Sequence, residues 1–124
     1  MAGVAAAFHR RALPFQDPQA EVITTVKLAD SPELGEAGGF VLVKGTSAGD
    51  ILIVCTGDGQ YAAMSNKCPH RQCEVEVKNP TLIQCPCHRS AYKIDGTYVS
   101  GPAKRSLKQF RVAVEEGVIT VIQN

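Results

Sequence analysis

The sequence has no tryptophan and only three tyrosines and four phenylalanines. So few rings argue against a stacking platform for single-stranded nucleic acid. Neither sign of charge is in excess: 13 Lys and Arg stand against 12 Asp and Glu, leaving +1. That balance gives no bulk attraction to nucleic acid or to a membrane surface. No stretch approaches the ~18 consecutive apolar residues of a membrane-spanning helix, and Val4 to Phe8 falls far short. Arg10-Arg11 suggests a twin-arginine export signal, but Ala12-Leu13-Pro14-Phe15-Gln16-Asp17 is not the apolar core such a signal needs. Residues 1–20 are therefore expected to be a solvated N-terminal tail, the other reading being the stub of a removed signal or membrane anchor. Repeats and low-complexity tracts are also missing, which excludes solenoids and arrays.

Glycine and proline, by contrast, are plentiful. Eleven glycines and seven prolines in 124 residues imply many turns and a β-rich chain. The length suits one hydrophobic core, so residues 21–124 are expected to form a single domain. From Val22 the sequence alternates short β-branched or apolar runs with turn residues. Asp58-Gly59, Asp95-Gly96 and Glu115-Glu116-Gly117 each read as hairpin turns between such runs. Glu74-Val75-Glu76-Val77-Lys78 alternates with period two, which gives a strand with one polar face. About nine or ten strands and no convincing helix point to an all-β antiparallel sandwich or partly open barrel.

The chemistry-bearing residues are concentrated between Cys68 and Tyr92. Cys68-Pro69-His70-Arg71-Gln72-Cys73 is followed, twelve residues after Cys73, by Cys85-Pro86-Cys87-His88-Arg89-Ser90-Ala91-Tyr92. Each segment thus carries a Cys and a His at short offset, plus one further cysteine. Thiolates suit iron–sulfur clusters and zinc, and neutral imidazole suits several transition metals. Structural zinc has a Cys2His2 set, but its fingers show C-x2-4-C and H-x3-5-H, not mixed Cys/His loops with an added cysteine in each. The fifth cysteine, Cys55, ends the apolar run Ile51-Leu52-Ile53-Val54 and reads as a buried thiol acting as a small hydrophobe.

In ligand types, order and flanking residues, these two segments resemble the Rieske iron–sulfur proteins, specifically the high-potential branch with a disulfide beside the cluster. The resemblance spans roughly residues 22 to 122. It implies a β base with a small cluster-binding subdomain inserted at about 66–101. It also implies a [2Fe-2S] cluster held by Cys68, His70, Cys85 and His88, with cysteines on the inner iron and histidines on the outer one. Cys73 and Cys87 match the disulfide that bridges the two loops, and Ser90 and Tyr92 match residues whose hydrogen bonds to sulfur raise the potential. Gly101-Pro102 matches the start of a loop covering the cluster, although Lys104 stands where a second proline is common. Replacing two thiolates by neutral imidazoles leaves the oxidised centre near zero charge, which eases electron uptake.

The function implied is one-electron transfer, with this chain as the electron-transfer subunit of an oxidoreductase complex rather than a catalyst alone. A quinol-oxidising cytochrome bc-type respiratory or photosynthetic complex is the first expectation. A small subunit of an arsenite-oxidase-type molybdoenzyme, or a free periplasmic carrier, is the alternative. A redox-sensing binding module is the reading from a different class. The disulfide implies an extracytoplasmic, periplasmic-side setting, with any membrane association through a missing anchor or a partner. Expected partners are a cytochrome or larger oxidoreductase subunit, with quinol as a further candidate, and not nucleic acid. One departure bears on docking. Quinol-oxidising members usually carry an apolar residue and Gly before the second cysteine, and Gly after the second His; this chain has Arg71-Gln72 and Arg89. A charged tip costs desolvation on entering an apolar cleft and suits an acidic redox partner instead.

Overall fold

The computed structural model describes residues 21–69 and 71–123; the N-terminal tail and His70 lie outside the described residues. Ten strands follow in order: β1 (Val22–Lys27), β2 (Phe40–Thr46), β3 (Gly49–Gly57), β4 (Gln60–Ser65), β5 (Glu76–Asn79), β6 (Leu82–Gln84), β7 (Ala91–Lys93), β8 (Tyr98–Ser100), β9 (Gln109–Glu115) and β10 (Val118–Ile122). They form two antiparallel sheets, one of six strands in the order β1-β10-β9-β4-β3-β2 and one of four in the order β5-β6-β7-β8. The all-β expectation holds. The hairpin turns fall where glycine allows left-handed backbone, with φ of 66° at Gly59, 94° at Gly96 and 77° at Gly117.

Two short 3-10 helices, Leu28–Asp30 and Pro32–Gly35, occupy a stretch that reads in sequence only as a turn. Proline at the first position of the second one presets its φ, and Leu34, 1% exposed, pins it to the core. Propensity alone does not reveal this, because the stabilising contact is tertiary.

The central element is β3. Most strands in an antiparallel sheet bury one face, but Ile51 to Cys55 are all buried. Their side chains alternate between two apolar layers. Ile51, Ile53 and Cys55 join Leu34, Ala63, Phe110, Ile119 and Val121 in a base layer. Leu52 and Val54 join Met64, Ile83, Tyr92 and Leu107 in a second layer, which also holds Cys68 and Cys85. The unbroken apolar run of β3 is thus the wall between the base and the Cys-bearing loops.

Truncating β3 on its base side should cost stability without touching the loops. Ile53→Ala is expected to destabilise by ~2–5 kcal/mol, the range for an aliphatic side chain removed from a packed core; urea denaturation of the two proteins side by side measures it.

Candidate metal centre

The first loop leaves β4 and returns to β5; the second joins β6 to β7. The two are built alike. In the first, Cys68 N–H donates to Cys73 O (2.7 Å) and Gln72 N–H donates to Cys68 O (2.7 Å). In the second, Cys85 N–H donates to Ser90 O (2.8 Å) and Arg89 N–H donates to Cys85 O (2.9 Å). Proline follows the leading cysteine in both, where its fixed φ favours the turn. The fifth residue in both, Gln72 and Arg89, has φ of 62° and closes the turn. The same six-residue device therefore presents a cysteine at its start twice.

Those leading cysteines, Cys68 and Cys85, are each 1% exposed and take no part in a disulfide. Cys73 and Cys87 are bonded to each other, with their Cα atoms 6.4 Å apart, and tie the loops together. The sulfurs of Cys73, Cys85 and Cys87 lie within 4.8 Å of one another. This grouping is not a three-thiolate ligand set, since Cys73 and Cys87 have spent their thiols on the bond between them. It places the disulfide directly beside Cys85. By chain-entropy reasoning a cross-link closing a loop of this length is worth ~3 kcal/mol. His88 is exposed, as are Arg71 and Arg89.

Tyr92 is fully buried, and its Oη lies 3.1 Å from Cys68 Sγ. Burial pushes the phenol well above its ordinary pKa. The hydrogen bond to Cys68 and the nearby charges of Cys68 and Cys85 push the same way, and the Ser90 hydroxyl pulls against them. The phenol thus keeps its proton and, against a thiolate, is the donor. Cys68, Cys85 and Tyr92 all lie in the same buried apolar layer, so the two leading cysteines converge on one region.

Ser90 is also buried, and its Oγ accepts the Ala103 N–H at 2.9 Å. That bond carries the loop of residues 101–105 onto the second Cys-bearing loop. Gly101 permits the approach: a Cβ there would sit 2.5 Å from Ser90 Cα, and its φ is 104°. Pro102 is exposed and Ala103 is buried. Arg105 Nη2 donates to Pro69 O at 3.4 Å, which brings the same segment against the first loop. One contributor is not evident in the sequence. Tyr98 donates its hydroxyl to Gly101 O at 2.5 Å and stands edge-on to Tyr92, with ring centroids 6.4 Å apart. Their partnership depends on the register of β7 with β8, in which Tyr92 faces Tyr98.

A separate cleft of about 480 Å³ lies between β2 and β5, floored by Leu42, Leu52 and Val77. Asn66 lines it, and its Oδ1 is buried with no hydrogen-bond partner among the described residues. The cleft has no Cys or His in its lining. Among the described residues, no helix is long and apolar enough to cross a membrane.

The chain matches the Rieske [2Fe-2S] domain family over residues 24–111 and belongs to that family. Its curated relatives include the cytochrome b6-f complex iron-sulfur subunit of Chlorobaculum tepidum, 40% identical over 73 residues, which make up 58% of this chain and 40% of the relative. Subunit 1 of the same complex in Synechocystis is 34% identical over 92 residues, covering 71% of this chain and 52% of the relative. The chain therefore spans about half or less of the length of these relatives. Among solved structures, the cyanobacterial plasma membrane Rieske protein PetC3 of Synechocystis superposes with a TM-score of 0.66 at 26% identity, over 82% of this chain and 97% of that one.

The residues fit the family's [2Fe-2S] cluster. Two buried thiols at the starts of matched loops, converging on one protonated phenol in an otherwise apolar layer, suit soft, anionic sulfur coordination. The chain is a domain of the Rieske type with residues suited to such a cluster.

Gly101 should be the residue of the covering loop least able to change. Gly101→Ala forces a Cβ into Ser90 and a left-handed backbone onto alanine. A loss of ~1–3 kcal/mol is expected, measured by thermal denaturation, together with faster amide exchange at Ala103 as its bond to Ser90 opens.

Proposed function

We propose that the cluster is held by Cys68, His70, Cys85 and His88, and that the chain relays single electrons as the iron–sulfur component of a quinol-oxidising cytochrome bc-type complex. The observation that carries the ligand assignment is the pair of matched loops, each opening on a buried cysteine and cross-linked by Cys73–Cys87. When bound, the cluster supplies a reversible one-electron couple. Cys68 and Cys85 would hold it from the apolar side and His88 from the solvent side, given their burial and exposure. His70 comes to the set through the family resemblance.

The neighbours tune rather than ligate. Against a Cys68 thiolate Tyr92 is the donor, and the Ser90 Oγ is held in place by accepting the Ala103 N–H. Hydrogen bonds to sulfur stabilise the more negative, reduced state and raise the potential. Residues 21–124 read as one domain, with residues from about 66 to 101 as its cluster-binding part and Gly101-Pro102 opening the cover. Two cytochrome b6-f iron-sulfur subunits among the relatives support the choice of complex. The disulfide supports an extracytoplasmic location, where such bonds persist. Association with a membrane would then come through the complex.

A second reading, a free Rieske carrier or the small subunit of a molybdoenzyme, is favoured by one observation. Arg71 and Arg89 are both exposed on the loops that would have to enter a quinol pocket, and charge opposes entry into an apolar cleft.

An EPR-monitored redox titration of the cluster-loaded protein tests the assignment. A midpoint in the upper part of the roughly −150 to +300 mV Rieske span is expected, and one near the bottom would sink the high-potential reading. Tyr92→Phe should lower the midpoint by ~60 mV, the equivalent for one electron of a ~1.4 kcal/mol hydrogen bond. An unchanged midpoint would remove Tyr92 from the tuning set. A colourless, EPR-silent protein that retains metal would mean zinc.

A further inference from the structure

Among the described residues, four that are not glycine have left-handed backbone: Gln72, Arg89 and Lys104 at φ 62°, and Glu116 at 54°. Glu116 is accounted for by its hairpin. With Gly117 at 77° it supplies the consecutive positive φ values that a tight turn between twisted strands requires. The other three belong to three different loops, and those loops form one surface. Cys73–Cys87 joins the first to the second, Ser90 and Ala103 join the second to the third, and Arg105 reaches back to Pro69 on the first. Glycine would take this backbone without the clash of a Cβ. All three positions instead hold a long polar side chain, and all three are exposed. Strain gathered on one face, at side chains that pack against no core, marks a face whose side chains are used.

The charge on this face points to the user. Arg71, Arg89, Lys104 and Arg105 are exposed there. None of the 12 acidic residues falls within 68–73, 85–90 or 101–105. The acid next in sequence, Glu74, is paired with Lys67 at 3.3 Å. A chain with a net charge of only +1 thus has a cation-only end. The large exposed apolar residues, Val22, Phe40, Val99 and Val114, all lie outside these loops. Among the described residues, these loops offer no large exposed apolar side chain as an anchor for a lipid surface. His88, the exposed candidate ligand, is on the same face, so an electron leaving there needs a redox centre brought against it.

We propose that the end formed by residues 68–69, 71–73, 85–90 and 101–105 is the docking face for a redox protein with an acidic surface, gripped by Arg71, Gln72, Arg89 and Lys104. This rests on the electron-transfer reading above and names its partner's chemistry. The guanidinium forks of Arg71 and Arg89 match carboxylates in pairs of hydrogen bonds. Arg105 is partly spent on Pro69 O and braces the covering loop. Left-handed backbone at Gln72, Arg89 and Lys104 lets each turn close and still project a side chain at the partner. Attraction of this kind acts chiefly on the rate of encounter and weakens as salt rises.

The test uses two forms of one haem protein with opposite surfaces: native cytochrome c, which is basic, and the same protein succinylated on its lysines, which is acidic. Stopped-flow oxidation of the reduced, cluster-loaded chain is followed from low to high salt, with rates corrected for the two haem potentials. The acidic form is expected to react about tenfold faster at low salt, the lower end of electrostatic steering, with the preference collapsing at high salt. The triple variant Q72G/R89G/K104G should keep the EPR signal, melt no lower than the parent, and lose most of the preference. K44Q, a charge change on β2, should retain it. Equal rates for the two forms, or faster reaction with the native one, would overturn the docking face while leaving electron transfer intact. So would salt-sensitive binding to phosphatidylglycerol vesicles in place of the preference, which would make the face a lipid site. Absence of the cluster signal from the parent chain would instead overturn the electron-transfer reading, and the docking face with it.

Discussion

Two loops, one crossing from β4 to β5 and one joining β6 to β7, must be held against each other before any group can be bound between them, and the Cys73–Cys87 bond does this. Each loop is a short turn closed by two backbone hydrogen bonds, with its proline limiting the paths available. Neither has a core of its own. What fixes them is the cross-link at the exposed end and, at the other, the insertion of Cys68 and Cys85 into the apolar layer beneath β3. The layer exists because β3 buries both faces, so a single strand serves the base on one side and the candidate metal centre on the other. The disulfide keeps the loops paired independently of what they bind.

The sequence showed the fold through its punctuation. Asp58-Gly59, Asp95-Gly96 and Glu116-Gly117 mark real hairpins, and the period-two pattern locates their strands. Local signals could not show which strand is central, because an apolar run like Ile51 to Cys55 fits a buried strand in several architectures. Nor could they show that Leu34 folds back onto the base. The candidate site was legible as residue types and spacings, since soft ligands in two matched segments have few alternatives. Its supports were less so. Tyr98 reads as an ordinary strand aromatic until β7–β8 pairing sets it against Tyr92 and the Gly101 carbonyl. The left-handed backbone of Gln72, Arg89 and Lys104 runs against the expectation that glycine fills such positions.

Those three residues also bear on how stability is distributed. A left-handed non-glycine residue costs ~1–2 kcal/mol, so three of them weigh a few kcal/mol against the fold. The disulfide, worth ~3 kcal/mol for a loop this long, sits within the same set of loops and offsets a cost of that size. Total stabilities of small domains are ~5–15 kcal/mol, so neither contribution is negligible. Strain and cross-link occupy the same end of the molecule, and each loop that carries a strained residue is tethered to another. A tip without the cross-link would relax most easily by letting Gln72 or Arg89 leave the left-handed region, and that movement would open the turn whose first residue is a candidate ligand. The tethers therefore do more than join two loops: they allow side chains other than glycine at the turn ends.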